Sequence, residues 1–340
     1  MPIFDIDPDI CKAETLSSEF YTDEKYFLDS KEKIFARSWQ LVGTGDEVQN
    51  LTPQTILEEF LDEPILLTRS GEKINCLANV CTHRGNILVE KKCEQRAIRC
   101  RYHGREFDIE GKFRSMPEFE SVENFPAEKD NLREIPFGIW QKFLFASLDP
   151  AAELEKVLAE MKARLAGFDF ENLRFISAKD YEVKAHWALY CENYLEGFHI
   201  PFVHKSLNKE IDYGQYTTET FQYSILQTGI DQKGEIAARY FFIFPNLMFN
   251  FYPWGISVNV VKPVKKDQTK VSYLTFVNDE SKLNKGAGAD LETVELEDQA
   301  IVESVQKGIN SRFYEKGRYS PTRETGTHHF HRLIAEFMEL

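Results

Sequence analysis

The sequence predicts an α+β protein in two parts, an all-β first half and a second half in which an antiparallel sheet carries helices. Three observations predict it. Over residues 39–148, short apolar segments alternate with turn formers such as Ser70-Gly71 and Glu110-Gly111. Asp149-Pro150 breaks that texture. Beyond it, long strand-like runs mix with apolar residues at helical steps, and no internal repeat or low-complexity tract is visible.

Residues 1–35 are polar and partly helical, with Thr22-Asp23-Glu24 as a helix start, and are expected to pack on the second domain. The first domain is expected over 36–149, with strands at 40–42, 55–60, 64–68, 74–80 and 137–146. The second, over 150–340, opens with a helix at 151–166, where Leu154, Val157, Leu158, Met161 and Leu165 share one face. Strands follow at 175–184, 256–263 and 269–277.

A chain of 340 residues is long enough for more than one core. Its 42% apolar and 28% charged residues are ordinary for a soluble globular protein. No apolar run approaches the ~20 residues of a membrane span. Met1-Pro2-Ile3-Phe4-Asp5-Ile6-Asp7 lacks the basic start and apolar stretch of a secretory signal, so a cytoplasmic location is expected. A net charge of −14 argues against non-specific nucleic-acid binding. That charge is uneven: from Arg84 to Arg114, nine basic residues face five acidic ones. Such a run is either a solvated face or a docking patch for an acidic redox partner.

The six cysteines are spaced irregularly, and in a reducing compartment close Cys and His residues read better as metal ligands than as disulfides. Cys81-Thr82-His83-Arg84-Gly85 and Cys100-Arg101-Tyr102-His103-Gly104 each offer one thiolate, one imidazole and a following glycine. Small residues let backbone N–H groups approach inorganic sulfide. Two thiolates and two imidazoles suit a 2Fe–2S cluster in which His replaces Cys on one iron. A zinc site is the alternative, although zinc sites usually pair like ligands, and here each loop is mixed.

A second constellation lies in Glu192-Asn193-Tyr194-Leu195-Glu196-Gly197-Phe198-His199-Ile200-Pro201-Phe202-Val203-His204. Taken as a helix, 187–199 gathers Trp187, Tyr190, Cys191, Tyr194, Leu195 and Phe198 on an apolar face. Glu192, Glu196 and His199 form a second stripe at steps of four and three. His199 and His204 are about 140° apart on an ideal helix, so they share a metal only if the helix is interrupted. Pro201 supplies the interruption by removing a donor and pushing Ile200 out of the α region. Two unrelated histidines are the alternative. Two His and one carboxylate form the facial triad of non-heme Fe(II) oxygenases, which leaves positions open for dioxygen. The carboxylate expected is Asp298, inside a helical stripe of Leu291, Val294, Ile301, Val302, Val305 and Ile309, with Glu295, Glu297 and Glu303 off its centre. A buried carboxylate is costly unless it binds metal or is paired, and a buried ion pair is the competing reading.

Over 39–148 the chain resembles the Rieske domains of ring-hydroxylating and related oxygenases. Respiratory Rieske proteins carry an extra cysteine in each loop; Asn86 and Arg101-Tyr102 offer none, which points to the oxygenase and ferredoxin branch. The second half resembles the helix-grip catalytic domain of the same oxygenases. The resemblance implies a terminal oxygenase with a 2Fe–2S cluster on Cys81, His83, Cys100 and His103 and a mononuclear Fe(II) on His199, His204 and Asp298. It implies dioxygen and a small molecule as substrates, a reductase or ferredoxin as electron donor, and a homotrimer. Glu196 stands where the family has an acid bridging the two metal centres across subunits, often an aspartate.

The run from Tyr240 to Trp254 is rich in aromatics, as a sheet core is, and an aromatic cage for a quaternary ammonium is the functional alternative. The 192–204 and 244–254 stretches and Gly317-Arg318-Tyr319-Ser320 look most like choline, betaine and carnitine-type monooxygenases. Arg323 and Arg332 are candidates for a substrate carboxylate or for surface ion pairs. The expected reaction is hydroxylation, or N-demethylation with loss of formaldehyde. Hydroxylation of an aromatic or other hydrophobic ring is the runner-up, as a dioxygenase would perform. A Rieske electron carrier or ligand-binding protein without oxygen chemistry is the alternative of another class.

Overall fold

Helices α1 Ser18–Thr22 and α2 Glu24–Ser30 open the chain, and the Asp23 carboxylate accepts the Lys25 N–H as the cap of α2. The computed structural model describes residues 4–283, 285–288 and 291–340. The chain divides into two compact units, Ala36–Ala151 and the remainder, Met1–Phe35 with Ala152–Leu340.

The Ala36–Ala151 unit holds strands β1 Gln40–Thr44, β2 Leu51–Ile56, β3 Glu63–Ser70, β4 Lys73–Ala78, β5 Ile98–Arg99, β6 Glu106–Phe107, β7 Phe113–Ser115, β8 Phe137–Trp140 and β9 Phe143–Ala146. Among the described residues they pair antiparallel as three-stranded sheets in the orders β1-β9-β8, β2-β3-β4 and β5-β6-β7. Two expectations are corrected. The strand expected at 55–60 ends at Ile56, because Leu57 and Glu59 adopt positive φ of 45° and 67° and the chain turns back on the Leu57 carbonyl. The segment 137–146 is a hairpin of two strands, with Gln141 at φ 54° in its turn.

Leu51, Leu66, Leu77, Ile98 and Phe107 form a core in which Cys81 and Cys100 are also buried. Arg105, counted above with the basic run, is 2% exposed. It pairs with Asp130 at 2.7 Å and lies 5.0–5.7 Å from the rings of Phe107, Phe113 and Phe125. It therefore holds the core together and takes no part in a surface patch, and Arg101 is paired with Glu90.

In the other unit, the helix expected at 151–166 is two pieces, α3 Leu154–Val157 and α4 Ala159–Arg164, with all five predicted apolar positions buried. Then come β10 Arg174–Val183, α5 Trp187–Tyr194, α6 Ile200–Val203, α7 Leu207–Glu210, β11 Thr217–Thr220, β12 Ser224–Ile230, β13 Ile236–Ile243, β14 Leu247–Tyr252, β15 Gly255–Lys265, β16 Gln268–Val277, α8 Leu291–Ile309 and α9 Thr325–Glu339. The strands form one antiparallel sheet, β10-β16-β15-β14-β13-β12-β11. Six strands meander in chain order, and β10 closes on the last of them. β14 is buried along its whole length, so Phe249 and Phe251, with Phe241 and Phe242 of β13, fill the core. Helix α5 packs on β15 and on α8, which places the 187–204 segment between sheet and helix.

The apolar stripe expected on α8 is corrected. Ile301 and Val305 are 40% and 44% exposed, while Glu295 and Gln306 are buried beside Val302 and Ile309. The buried face therefore carries polar groups, with a consequence for the site below. Among the described residues, no helix is long and apolar enough to cross a membrane.

Candidate functional site

Cys81 and Cys100 begin two turns of one design. In the first, the Cys81 N–H donates to Asn86 O at 2.8 Å and the Gly85 N–H to Cys81 O at 3.0 Å. In the second, the Cys100 N–H donates to Arg105 O at 2.8 Å and the Gly104 N–H to Cys100 O at 3.0 Å. Each turn closes through a left-handed residue, at φ 70° for Gly85 and 75° for Gly104, which a glycine takes without strain. The turns leave both thiols buried and set the His83 and His103 rings side by side, centroids 4.8 Å apart, nearer the surface. Burial pushes the Cys81 thiol pKa up, with Cys100 adding to it, while the backbone N–H groups of His83 and Arg84 pull it down. Two adjoining thiols inside and two adjoining imidazoles outside fit a 2Fe–2S cluster with one Cys-held and one His-held iron.

The second site begins where α5 stops. Leu195 closes the helix by donating its N–H to Cys191 O and Glu192 O, both at 3.1 Å. Gly197 then passes so close to Tyr216 that a Cβ there would sit 2.7 Å from the ring. The interruption therefore falls at 195–199, earlier than Pro201 suggested. Pro201 lies in the first turn of α6, where a missing N–H costs nothing, and Ile200 is helical. Glu196 accepts the His199 N–H at 3.0 Å and its ring Nδ1–H at 2.7 Å. His204 ends α6 and is 1% exposed.

Asp298 on α8 completes a cluster with the two rings. His199 Nε2 and His204 Nε2 are 3.1 Å apart, and Asp298 Oδ1 lies 3.0 Å from the second and 3.5 Å from the first. Both Nδ1 atoms face carboxylates: Glu196 at His199 and Glu297 at His204, each at 2.7 Å. Taken as neutral, each ring donates its proton outward and turns an Nε2 lone pair inward. Three acceptors then confront one another, an arrangement that calls for a cation. Ligands ~2.1 Å from one ion at right angles stand about 3.0 Å apart, so the spacing fits facial coordination. Burial works against a charged His204, but Asp298 and Glu297 outweigh it, and its pKa lies above the ordinary histidine value.

Sequence reasoning missed Glu297, which sits off the expected stripe yet bonds His204; an acid next to a candidate ligand was the available signal. Glu192, by contrast, does not join the site. It accepts from Tyr21 at 2.7 Å and lies 3.1 Å from His331, where the first helices meet α9. Glu303 also lies elsewhere, accepting the Lys184 N–H.

The His199–His204–Asp298 cluster borders a cavity. Tyr190, Tyr194, Tyr216, Tyr240, Tyr252 and Tyr273 line it. The aromatic run divides: its phenylalanines form core, and Tyr240 and Tyr252 face the cavity. Among the described lining residues there is no Lys or Arg. Arg323 lies 4.0 Å over the Tyr213 ring and donates to Tyr213 O, and Arg332 is exposed, so neither reaches the cavity.

Residues 38–126 match the Rieske [2Fe-2S] domain family. Residues 170–229 and 212–340 match the family described as ring hydroxylating alpha subunit (catalytic domain). The chain is 27% identical over 358 residues to the chloroplastic choline monooxygenase of Arabidopsis thaliana, across 97% of this chain and 84% of that protein. It is 28% identical over 352 residues to the carnitine monooxygenase oxygenase subunit of Escherichia coli strain K12, across 96% and 94%. A solved quaternary ammonium Rieske monooxygenase, described for carnitine oxidation by gut microbiota and inter-subunit electron transfer, is 26% identical with a TM-score of 0.81, covering 98% of this chain and all (100%) of that one.

Proposed function

The chain belongs to the ring-hydroxylating α-subunit family of Rieske oxygenases, and from that premise we propose that it hydroxylates a quaternary ammonium compound held beside His199, His204 and Asp298. As a Rieske oxygenase it uses a 2Fe–2S cluster and a mononuclear iron; bound, the cluster supplies electrons singly and the iron activates dioxygen. The donors proposed for the cluster are Cys81, His83, Cys100 and His103, and for the iron His199, His204 and Asp298. The observation that carries the reading is the convergence of two imidazole lone pairs and one carboxylate oxygen at 3.0–3.5 Å on the edge of a tyrosine-lined cavity.

The residues divide the work. Glu196 and Glu297 fix the two rings as neutral tautomers, so each Nε2 points inward. Asp298 would offer a negative charge to a cation held by the two rings. The tyrosine faces offer ring quadrupoles to an onium group, each contributing ~0.5–2 kcal/mol. Relatives that act on choline and carnitine support this substrate class. An electron carrier would need neither the cavity nor the three inward donors.

The assembly proposed is a closed homotrimer, fed by a reductase or ferredoxin, in which Glu196 links His199 to the partner's His103. Phe198 and Phe202, 40% and 76% exposed beside Glu196, support a covered surface there.

Three experiments test the proposal. Iron analysis should give about three irons per chain. Purified protein supplied with reductant and dioxygen should convert trimethylammonium compounds and leave arenes unchanged; arene hydroxylation with no amine turned over would overturn the substrate class. Glu196→Gln should keep both metals yet slow cluster reoxidation in a single turnover, and parent-like kinetics would remove the bridging role.

A further inference from the structure

Glu295 has no part in the metal site. It is 3% exposed, lines the cavity, and accepts the Tyr190 hydroxyl at 2.6 Å through Oε2. Tyr190 spends its only hydroxyl proton there, so the Tyr273 hydroxyl, 2.6 Å away, donates to Tyr190. Two phenols in series thus hold one carboxyl oxygen. The other, Oε1, is buried with no hydrogen-bond partner among the described residues. Gln227 repeats the pattern on the same cavity: its Nε2 donates to Tyr194 O at 2.6 Å, and its Oε1 is buried without a partner among the described residues. The Tyr194 carbonyl can only accept, which fixes the amide with its oxygen free.

Glu295 Oε1 and Gln227 Oε1 are thus both left unmet, and the described residues lining the cavity include no Lys or Arg. Leaving a buried acceptor unmet is costly, so the bound molecule is the one that meets both. A substrate carboxylate would bring more acceptors and a negative charge of its own. Burial pushes the Glu295 carboxyl up to about 8, with Tyr190 opposing and Asp298 adding to it; a cation bound beside it draws that proton off, whereas a substrate carboxylate there would hold it on.

We propose that Glu295, seated by Tyr190 and Tyr273, is the charge-discriminating residue of this oxygenase, selecting ammonium alcohols of net charge +1 over zwitterionic ammonium carboxylates, with Gln227 accepting from the alcohol end. The inference rests on the quaternary ammonium reading and goes further, dividing that class by charge. Glu295 acts on binding and specificity, and none of the iron donors is assigned to it.

The test compares choline, L-carnitine and glycine betaine with the neutral isostere of choline in which carbon replaces the quaternary nitrogen. Binding is measured anaerobically by calorimetry and turnover by product mass spectrometry. The parent should favour choline over either zwitterion by about tenfold or more in kcat/KM. Glu295→Gln should weaken choline about 10–100-fold, chiefly through KM, and barely affect the neutral isostere; Glu295→Asp should keep most of the preference. Tyr273→Phe, which spares the carboxyl itself, should show the same choline-specific loss at smaller size and serves where Glu295→Gln fails to fold. A parent that prefers a zwitterion, or an equal loss on choline and the isostere, would overturn the role of Glu295 while the quaternary ammonium reading stood. Failure of every trimethylammonium compound to bind would overturn that reading as well.

Discussion

Cys81, His83, Cys100 and His103 come from two turns closed by the same pair of backbone hydrogen bonds, whereas His204 meets Asp298 across 94 residues of chain. In the first region each turn shapes itself: a glycine at positive φ, a Cys carbonyl accepting from it and a thiol turned into the core. Only the pairing of the two turns is tertiary. In the second, nothing near His199 shows which acid will arrive. The rings are aimed by Glu196 from the same turn and by Glu297 from α8, and the third donor depends on how α8 lies against α5. A locally built site is readable residue by residue, while a convergent site is readable only once its supports are in place.

The largest effects should come from treating the two regions as independent. His199→Ala, His204→Ala or Asp298→Ala should reduce turnover to background and strip the mononuclear iron, with the visible spectrum of the cluster unchanged. Cys81→Ser should do the reverse, bleaching that spectrum while iron analysis still finds the mononuclear ion. A Cys81→Ser protein that loses all its iron would mean that the regions are not separately built.

Glu297→Gln sharpens the contrast, because it touches no proposed ligand atom. The amide still reaches His204 Nδ1, but the charge that fixes the proton outward is gone. Iron affinity should fall about 10–100-fold, measured by chelator competition, with the cluster unaffected. An unchanged affinity would show that His204 needs no aiming from α8.

Smaller effects separate tertiary fit from local strain. Gly197→Ala puts a Cβ 2.7 Å from Tyr216, so ring and turn must shift. A loss of about 1–3 kcal/mol in denaturant unfolding is expected, together with weaker iron binding. At Gly85 a Cβ would meet nothing within 4 Å, so Gly85→Ala should cost only the left-handed strain, about 1–2 kcal/mol, and keep the cluster spectrum. Spectral loss at Gly85 with none at Gly197 in iron content would invert the comparison.

By itself the sequence determined the class of each half, the two Cys–His loops and the His199–His204 pair, because alternation, turn residues and ligand spacing are local properties. The buried face of α3 and α4 was legible for the same reason, although Leu158 divides one expected helix into two. The tertiary structure decided what depends on distant partners. Glu192 looked equivalent to Glu196 on a helical stripe, but the helix stops at Tyr194 and Glu192 turns to Tyr21 and His331. Arg105 looked like surface charge until Asp130 and three phenylalanines enclosed it. Asp298 was chosen for an apolar stripe that α8 buries only in part, and it reaches the histidines from the cavity edge while Glu295 takes the interior. Carboxylates spaced along one helix are alike in sequence. Only the surroundings that desolvate, pair or aim each of them give it a separate chemistry.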